Sequence, residues 1–208
     1  MSTNAVTNKP THSSTKIRMM AQIAMLTAVA EILMLFEIPL PFAPAFYEID
    51  LSEVPILIGC FAMGPIAGVI IETLKILLNF LINGTITAGV GEMANLAIGC
   101  AFIAPAGMIY KQHKSRKNAL IGMVTGTVFM TVIGGFLNAY VLLPVYASLF
   151  GGMDAIIGMG TAVNGRINGL ASFVLLAVVP FNLVKGVVVS TVTFILYKRV
   201  SRILIHNK

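Results

Sequence analysis

The sequence predicts an all-α integral membrane protein with six transmembrane helices and both termini in the cytoplasm. Hydrophobic residues make up 57% of its 208 residues, and charged residues only 11%, whereas soluble domains carry about 25% charged residues. The apolar stretches are long and continuous. They are not alternating segments of about ten residues, which would indicate a membrane barrel.

The elements follow in order along the chain. Residues 1–15 are rich in Thr, Ser and Asn and lack an apolar core, so we predict a disordered tail and not a signal peptide. Apolar stretches cover residues 17–36, 54–63, 66–82, 93–110, 119–146 and 170–197. They are separated by a proline-rich polar loop at 37–53, a Gly64-Pro65 break, a loop at 83–91, a basic connector at 111–118 and an irregular, glycine-rich stretch at 147–168. We therefore expect a membrane domain over residues 16–200 and a basic tail over 201–208.

The positions of the basic residues predict the topology. Eleven of the fourteen Lys and Arg residues can be placed on one side of a membrane: Lys9, Lys16, Arg18, Lys111, Lys114, Arg116, Lys117, Lys198, Arg199, Arg202 and Lys208. That side is expected to be the cytoplasm. An even number of crossings must then precede the 111–118 connector, so 54–63 and 66–82 are predicted to be two short helices. Because topology explains the net charge of +6, we do not expect nucleic-acid binding.

Two polar residues stand out in the last apolar stretch. Asn182 and Lys185 are three residues apart and share one face of a helix. A lysine at membrane depth costs roughly 2.5 kcal/mol or more, and Lys185 is about 18 Å from Tyr197 along a helix axis, too far to reach the cytoplasm. It must pair across helices, bind backbone carbonyls or face a cavity. With Asn138 in the preceding stretch, the set suits a flat, mostly apolar ligand with imide-like edges.

Other intramembrane charges and motifs limit the function classes. Glu72 and Lys75 share a helix face and predict a local ion pair, although residue types alone leave ion coupling open. The chain has no GxSxG, HExxH or GK[ST] motif, and its three histidines lie in polar flanks. We therefore expect neither an enzyme nor a metal protein. Energy for active uptake would have to come from partner subunits.

Several motifs together resemble a known family. They are the small-xxx-small pattern of Ala24 and Ala28, Asp50-Leu-Ser-Glu-Val-Pro55, Gly64-Pro-Ile-Ala-Gly68, Glu72-Thr-Leu-Lys75, Asn138 in Phe-Leu-Asn-Ala-Tyr, and Pro180-Phe-Asn-Leu-Val-Lys-Gly186. In this order they resemble the substrate-binding S components of energy-coupling factor (ECF) vitamin transporters, and in particular the riboflavin-specific branch. The resemblance covers about residues 17–199.

The resemblance implies a function and a site. Asn138, Asn182 and Lys185 are expected to hydrogen-bond the isoalloxazine ring of riboflavin, which is a transported substrate and not a cofactor. Further candidates, chiefly for the ribityl chain, are Phe46, Tyr47, Asp50, Glu92 and Asn95. The resemblance also implies six helices with cytoplasmic termini, a pocket that opens outward under the first loop, and a subunit that topples to release its vitamin inside.

The resemblance implies partners as well. Ala24 and Ala28 are expected to contact a transmembrane coupling subunit, which works with two ATPase subunits in a bacterial plasma membrane. The 147–169 loop is longer and richer in glycine than the family pattern. Three alternatives stay open: an S component for another vitamin or for FMN, whose phosphate a cationic lysine could attract; a stand-alone carrier coupled to ions through Glu72 and Lys75; and a structural membrane protein.

Overall fold

The computed structural model describes residues 12–44 and 46–205, with side chains for 15–44 and 46–200. The elements are α1 (His12–Met34), a hairpin of β1 (Ile38–Pro39) and β2 (Glu48–Ile49), α2 (Glu53–Met63), α3 (Pro65–Asn83), α4 (Val90–Gln112), α5 (Arg116–Leu149) and α6 (Met153–Val163). The last helix, α7, consists of three consecutive segments, Leu170–Phe173, Val174–Val178 and Val179–Ile205.

The all-helical prediction is confirmed, and most boundaries fall close to those expected. Five helices of the described chain are long and apolar enough to cross a membrane, with spans at Thr15–Met34, Pro65–Asn83, Val90–Gln112, Arg116–Leu149 and Leu170–Val200. At the N-terminus, helix α1 begins at His12, inside the segment predicted as a tail. At the C-terminus, α7 is helical to Ile205. Residues 1–11 and 206–208 of the two predicted tails lie outside the described residues.

The prediction of an irregular stretch at 147–168 is wrong over much of its length. Helix α5 continues to Leu149, and α6 occupies Met153–Val163. Glycines 151 and 152, both with positive φ, separate the two helices, and these conformations favour glycine. Gly160 lies within α6, where an added Cβ would approach the ring of Phe173 at 2.7 Å. The glycines therefore mark a turn and a close contact, and not an absence of helix.

The short helix α2 is an interior element. All residues from 53 to 61 are buried, and α2 packs against α1, α3, α4 and α7. Gly64 separates it from α3 with φ of 105°, as the Gly64-Pro65 break predicts. A helix of 11 residues extends about 16 Å, roughly half of a membrane core. Its apolar side chains are surrounded by protein on all sides, which explains why nearly every position is hydrophobic.

Small residues allow the long helices to approach closely. An added Cβ at Gly126 of α5 would collide with the carbonyl oxygen of Phe102 in α4, and one at Gly186 of α7 would collide with Thr127 in α5. Such small residues are typical of helix interfaces in membranes, where van der Waals contact drives association. They hold α4, α5 and α7 together as one side of the bundle.

The hairpin covers one end of the bundle. Ile38 pairs with Ile49, and Pro39 with Glu48, in antiparallel register. Residues of the intervening loop are buried in an apolar cluster with α5, α6 and α7. This cluster contains Ala43, Tyr47, Ile49, Leu143, Ala147, Ile156, Ile167, Phe173, Ala177, Val178 and Phe181. The segment predicted as a polar loop is therefore a packed cap that begins just after α1 and leads directly into α2.

Candidate ligand-binding cavity

A cavity of about 410 Å³ lies beneath the hairpin, within the usual size range of small-molecule sites. The helices α1 to α5 and α7 all contribute to its wall, as do the hairpin and the loop before α4. All eight residues predicted for the site line it: Phe46, Tyr47, Asp50, Glu92, Asn95, Asn138, Asn182 and Lys185. Positions that are up to 139 residues apart in the sequence are thus brought together around one space.

The two amide side chains are buried and oriented by hydrogen bonds. Asn138 Nδ2 donates to the carbonyl of Gly134 at 2.8 Å, and Asn182 Nδ2 donates to that of Val178 at 3.0 Å. Tyr47 Oη donates to Asn138 Oδ1 at 2.5 Å, so the hairpin loop touches the site directly. The side chain of Asn182 also packs on Gly134, where an added Cβ would lie 3.0 Å from Nδ2.

Helices α5 and α7 each contain a π-helical turn beside the cavity. In α5 the turn covers Asn138–Leu142, and in α7 it covers Val174–Val178, just before Phe181 and Asn182. The two turns contact each other. A π turn inserts an extra residue into an α-helix and is frequent at functional sites. Here both turns adjust which side chains of α5 and α7 reach the cavity.

Lys185 pairs with two carboxylates from other elements. Its Nζ lies 3.1 Å from Asp50 Oδ2 and 3.0 Å from Glu53 Oε1, and 11% of its side chain is exposed. Burial opposes ionisation of Asp50, but the charges of Lys185 and Lys75 and the hydrogen bonds from Ser52 lower the pKa of Asp50 well below its usual range. Of the possibilities that the sequence left open, two are observed together: Lys185 pairs with carboxylates of other elements, and it also lines the cavity.

Glu53 joins Lys185 to a second, fully buried ion pair. Lys75 Nζ lies 3.0 Å from Glu72 Oε1, 3.8 Å from Glu53 Oε1 and 3.1 Å from Ser52 Oγ. The predicted Glu72–Lys75 pair is therefore confirmed, within a network of two lysines and three carboxylates. Because buried charges are costly unless paired, the network fixes the start of α2 between α3 and α7.

Aromatic and aliphatic side chains form the apolar part of the wall. The ring of Tyr47 lies 5.0 Å from that of Phe181 and 4.8 Å from that of Phe46, measured between centroids. Burial raises the pKa of Tyr47, so its hydroxyl stays a proton donor. Further apolar lining comes from Met34, Ile76, Ile86, Ile98, Met130, Leu142, Tyr146 and Phe150. This combination of apolar walls with a few polar groups suits a flat organic molecule.

The cavity wall is acidic. Five carboxylates line it, from Glu37, Glu48, Asp50, Glu53 and Glu92, against the single ammonium group of Lys185. A hydrogen bond shared with Glu48, together with burial and the charge of Glu48, raises the pKa of Glu37 to about 7. Glu92 accepts hydrogen bonds from the hydroxyls of Thr85 at 3.1 Å and Thr87 at 3.3 Å.

Three of these lining acids were not among the residues predicted from the sequence: Glu37, Glu48 and Glu53. Glu53 carried a usable signal, because it is the only charged residue of the otherwise apolar α2.

The two alanines predicted for a partner contact do not line the cavity. Ala24 and Ala28 are both exposed on α1, beside the exposed side chains of Met25 and Val29.

Comparison with known proteins gives a consistent result. A family model described as "ECF transporter, substrate-specific component" matches residues 18–197. The chain is 35% identical over 182 residues to the riboflavin transporter RibU of Staphylococcus aureus (strain TCH60), covering 88% of this chain and 89% of that protein. It is 31% identical over 183 residues to the riboflavin transporter FmnP of Bacillus subtilis (strain 168), covering 88% and 91%.

Solved structures show the same fold. One, described as the S component of a bacterial ECF transporter, matches with a TM-score of 0.70 and 33% identity, covering 91% of this chain and 98% of that one. ThiT from Listeria monocytogenes matches with a TM-score of 0.56 at 20% identity, a likeness of fold alone. The chain belongs to the family of substrate-specific components of ECF transporters.

Proposed function

We propose that this chain is the riboflavin-binding subunit of an ECF-type importer in a bacterial plasma membrane. It captures the vitamin from outside and delivers it with a separate coupling subunit and two ATPase subunits. One observation carries the proposal: the polar residues that suit a flavin converge on a single cavity, in a chain similar to riboflavin transporters over most of its length.

Charge distribution supports an outward-facing cavity. Glu92 and Asn95 lie in the first turns of α4, whereas Lys111 is in its last turn. The basic connector therefore lies at the end of α4 opposite to the cavity, and α5 starts there at Arg116. Since basic connectors are retained in the cytoplasm, the cavity opens to the outside.

The path of α2 and α3 supports six crossings with both termini in the cytoplasm. Helix α2 starts at the cavity with Glu53 and runs inward. At its far end the ring of Phe61 packs against that of Tyr110, near the end of α4, with centroids 4.5 Å apart. Helix α3 returns from Pro65 to the cavity, which Asn79 lines. The six helices α1–α5 and α7 then form one membrane domain over residues 16–200, and α6 lies at the outer surface.

Riboflavin matches the chemistry of the wall. The pyrimidine edge of its ring offers two carbonyl groups with an N–H between them, and amide side chains can donate to or accept from these groups. Asn138, Asn182 and the remaining proton of Lys185 supply such groups. The benzenoid end fits the aromatic and aliphatic wall. The ribityl hydroxyls need polar partners, which Asp50, Glu92 and Asn95 provide.

Titration of the detergent-purified protein with riboflavin tests the proposal. We expect quenching of flavin fluorescence at one site per chain. Asn138→Ala and Asn182→Ala should each weaken binding by about 1–3 kcal/mol, the scale of leaving a buried polar partner unpaired. Asn118→Ala is the matched control, because Asn118 lies near the basic connector, about 30 Å along α5 from Asn138. Unchanged affinity in both cavity variants would defeat the site assignment.

A vitamin panel separates the rival substrates. Riboflavin, thiamine, biotin and folate should be compared by thermal shift, because a bound ligand raises stability by mass action. Thiamine is a necessary member of the panel, since an acidic wall also suits a cation.

The ion-coupled carrier is less consistent with the structure, because Glu72 and Lys75 pair with each other behind Glu53 and are fully buried. That rival requires uptake by vesicles without ATPase subunits, abolished by Glu72→Gln.

A further inference from the structure

The acidic wall has a consequence for which flavins can enter. Riboflavin and FMN share the same ring and ribityl chain, and differ by a phosphate that carries a charge of about −1.5 to −2 at pH 7. Resting on the proposed function, we infer that the carboxylates of the cavity set its substrate specificity, so that it admits the neutral vitamin and rejects the phosphorylated flavin.

The charge of the one lining cation is already neutralised. Lys185 Nζ contacts both Asp50 Oδ2 at 3.1 Å and Glu53 Oε1 at 3.0 Å. Glu53 is shared with Lys75, which also pairs with Glu72, so the whole network holds three carboxylates against two lysines and has an excess of negative charge. A phosphate that accepted the remaining proton of Lys185 would lie beside both carboxylates, and their negative charges would repel it. The attraction that a lone lysine would offer to FMN is therefore absent.

The remaining acids surround the rest of the cavity. Glu37 and Glu48 extend from the segment that covers it, and Glu92 comes from the start of α4 on another side. A cavity of about 410 Å³ has the volume of a sphere roughly 9 Å across, close to the Debye length of about 8 Å at physiological salt. A phosphate anywhere inside is thus within reach of carboxylates whichever way the flavin lies.

Glu37 and Glu48 are the best positions for a test. They line the cavity without contacting the amides or Lys185, so their neutralisation should spare the contacts that hold the ring. Asp154 offers a matched control, because it is an exposed acid at the start of α6 and does not line the cavity. The double variant Glu37→Gln/Glu48→Gln removes up to two negative charges with almost no change in size.

Riboflavin and FMN should be titrated by fluorescence quenching into the wild type, the double variant and Asp154→Asn. We expect the wild type to bind riboflavin at least tenfold more tightly than FMN. In the double variant the ratio of FMN affinity to riboflavin affinity should be about three to thirty times that of the wild type. Asp154→Asn should match the wild type for both. Raising the salt concentration should reduce the difference between the riboflavin and FMN affinities of the wild type, because salt screens the repulsion.

Size must be separated from charge. Riboflavin 5′-acetate extends the ribityl end without adding charge, so it should bind nearly as well as riboflavin. The inference is overturned if this ester binds as weakly as FMN, if the wild type binds both flavins equally, or if the double variant keeps the wild-type ratio. Failure of riboflavin itself to bind the wild type is a different result, because it defeats the proposed function.

Discussion

Lys185 Nζ lies 3.0 Å from Glu53 Oε1, and this contact ties the last helix of the bundle to the first turn of the shortest one. The same Glu53 oxygen lies 3.8 Å from Lys75 Nζ, so one carboxylate serves two lysines on different helices. Glu53 is only 2% exposed. The charge of Lys185, which is costly inside a membrane, is thus balanced by a residue 132 positions earlier in the chain.

Loss of the Glu53 charge should destabilise the whole bundle. In Glu53→Gln, both lysines lose a carboxylate in a buried site, and breaking a buried pair from one side costs about 3–5 kcal/mol. We expect a clear fall in the midpoint of thermal unfolding in detergent. Asp154→Asn, which removes an exposed carboxylate, should change stability by about 0.5 kcal/mol or less. Equal effects of the two variants would show that the network contributes little.

Packing behind Asn182 should affect ligand binding. In Gly134→Ala the new methyl group would lie 3.0 Å from Asn182 Nδ2, so the amide has to move away from its position in the cavity. We expect riboflavin affinity to fall about tenfold, or ~1.4 kcal/mol. The control is Gly158→Ala, which has open space around its Cβ within α6 and should be neutral or slightly stabilising. Fluorescence titration with riboflavin measures the affinity of both variants. Equal affinities would contradict the packing explanation.

The three residues predicted to bind the flavin ring stand out in the sequence because polar side chains are costly at membrane depth. Asn138, Asn182 and Lys185 interrupt long apolar stretches, and residues of this kind in a membrane are functional or paired. Their partners could not be found in the same way. Asp50 and Glu53 lie in or next to a segment that reads as a polar loop, and only the inward path of α2 brings them to Lys185.

Helix α6 and the hairpin over the cavity were hard to predict because their local sequences do not favour regular secondary structure. The glycines at 151, 152, 158 and 160 prevented the prediction of helix α6, because glycine has a low intrinsic helix propensity. In the folded chain, Gly160 makes room for the ring of Phe173, and tertiary packing outweighs the local preference. The hairpin is equally hidden, since only four residues form its two strands.

The exposed face of α1 should matter for transport and not for binding. Ala24 and Ala28 are one turn apart and share that face, where larger side chains would keep a partner helix at a distance. The double variant Ala24→Leu/Ala28→Leu should retain riboflavin affinity but no longer co-purify with the coupling subunit. Uptake of riboflavin by cells should fall at least tenfold. Val29→Leu, at a neighbouring exposed position, should behave as the wild type. Normal uptake by the double variant would place the partner surface elsewhere.

Discrimination between flavins should depend on pH through Glu37. The hydrogen bond with Glu48, burial and the charges of Glu48 and Asp50 raise the pKa of Glu37 to about 7, against a smaller opposing effect of Lys185. Above this pH Glu37 is charged and repels a phosphate, and below it Glu37 is neutral. The repulsion that Glu37 contributes is therefore present at pH 8 and mostly lost at pH 6. Riboflavin is uncharged throughout this range, so its affinity should change little.

The variant Glu37→Gln separates this effect from the titration of FMN itself, whose phosphate has a second pKa near 6. Both proteins share the change in the ligand, and only the wild type adds the change at Glu37. At pH 8 the variant should bind FMN about two- to fivefold more tightly than the wild type, and at pH 6 the two proteins should converge. A gap of the same size at both pH values would mean that Glu37 does not change its charge in this range.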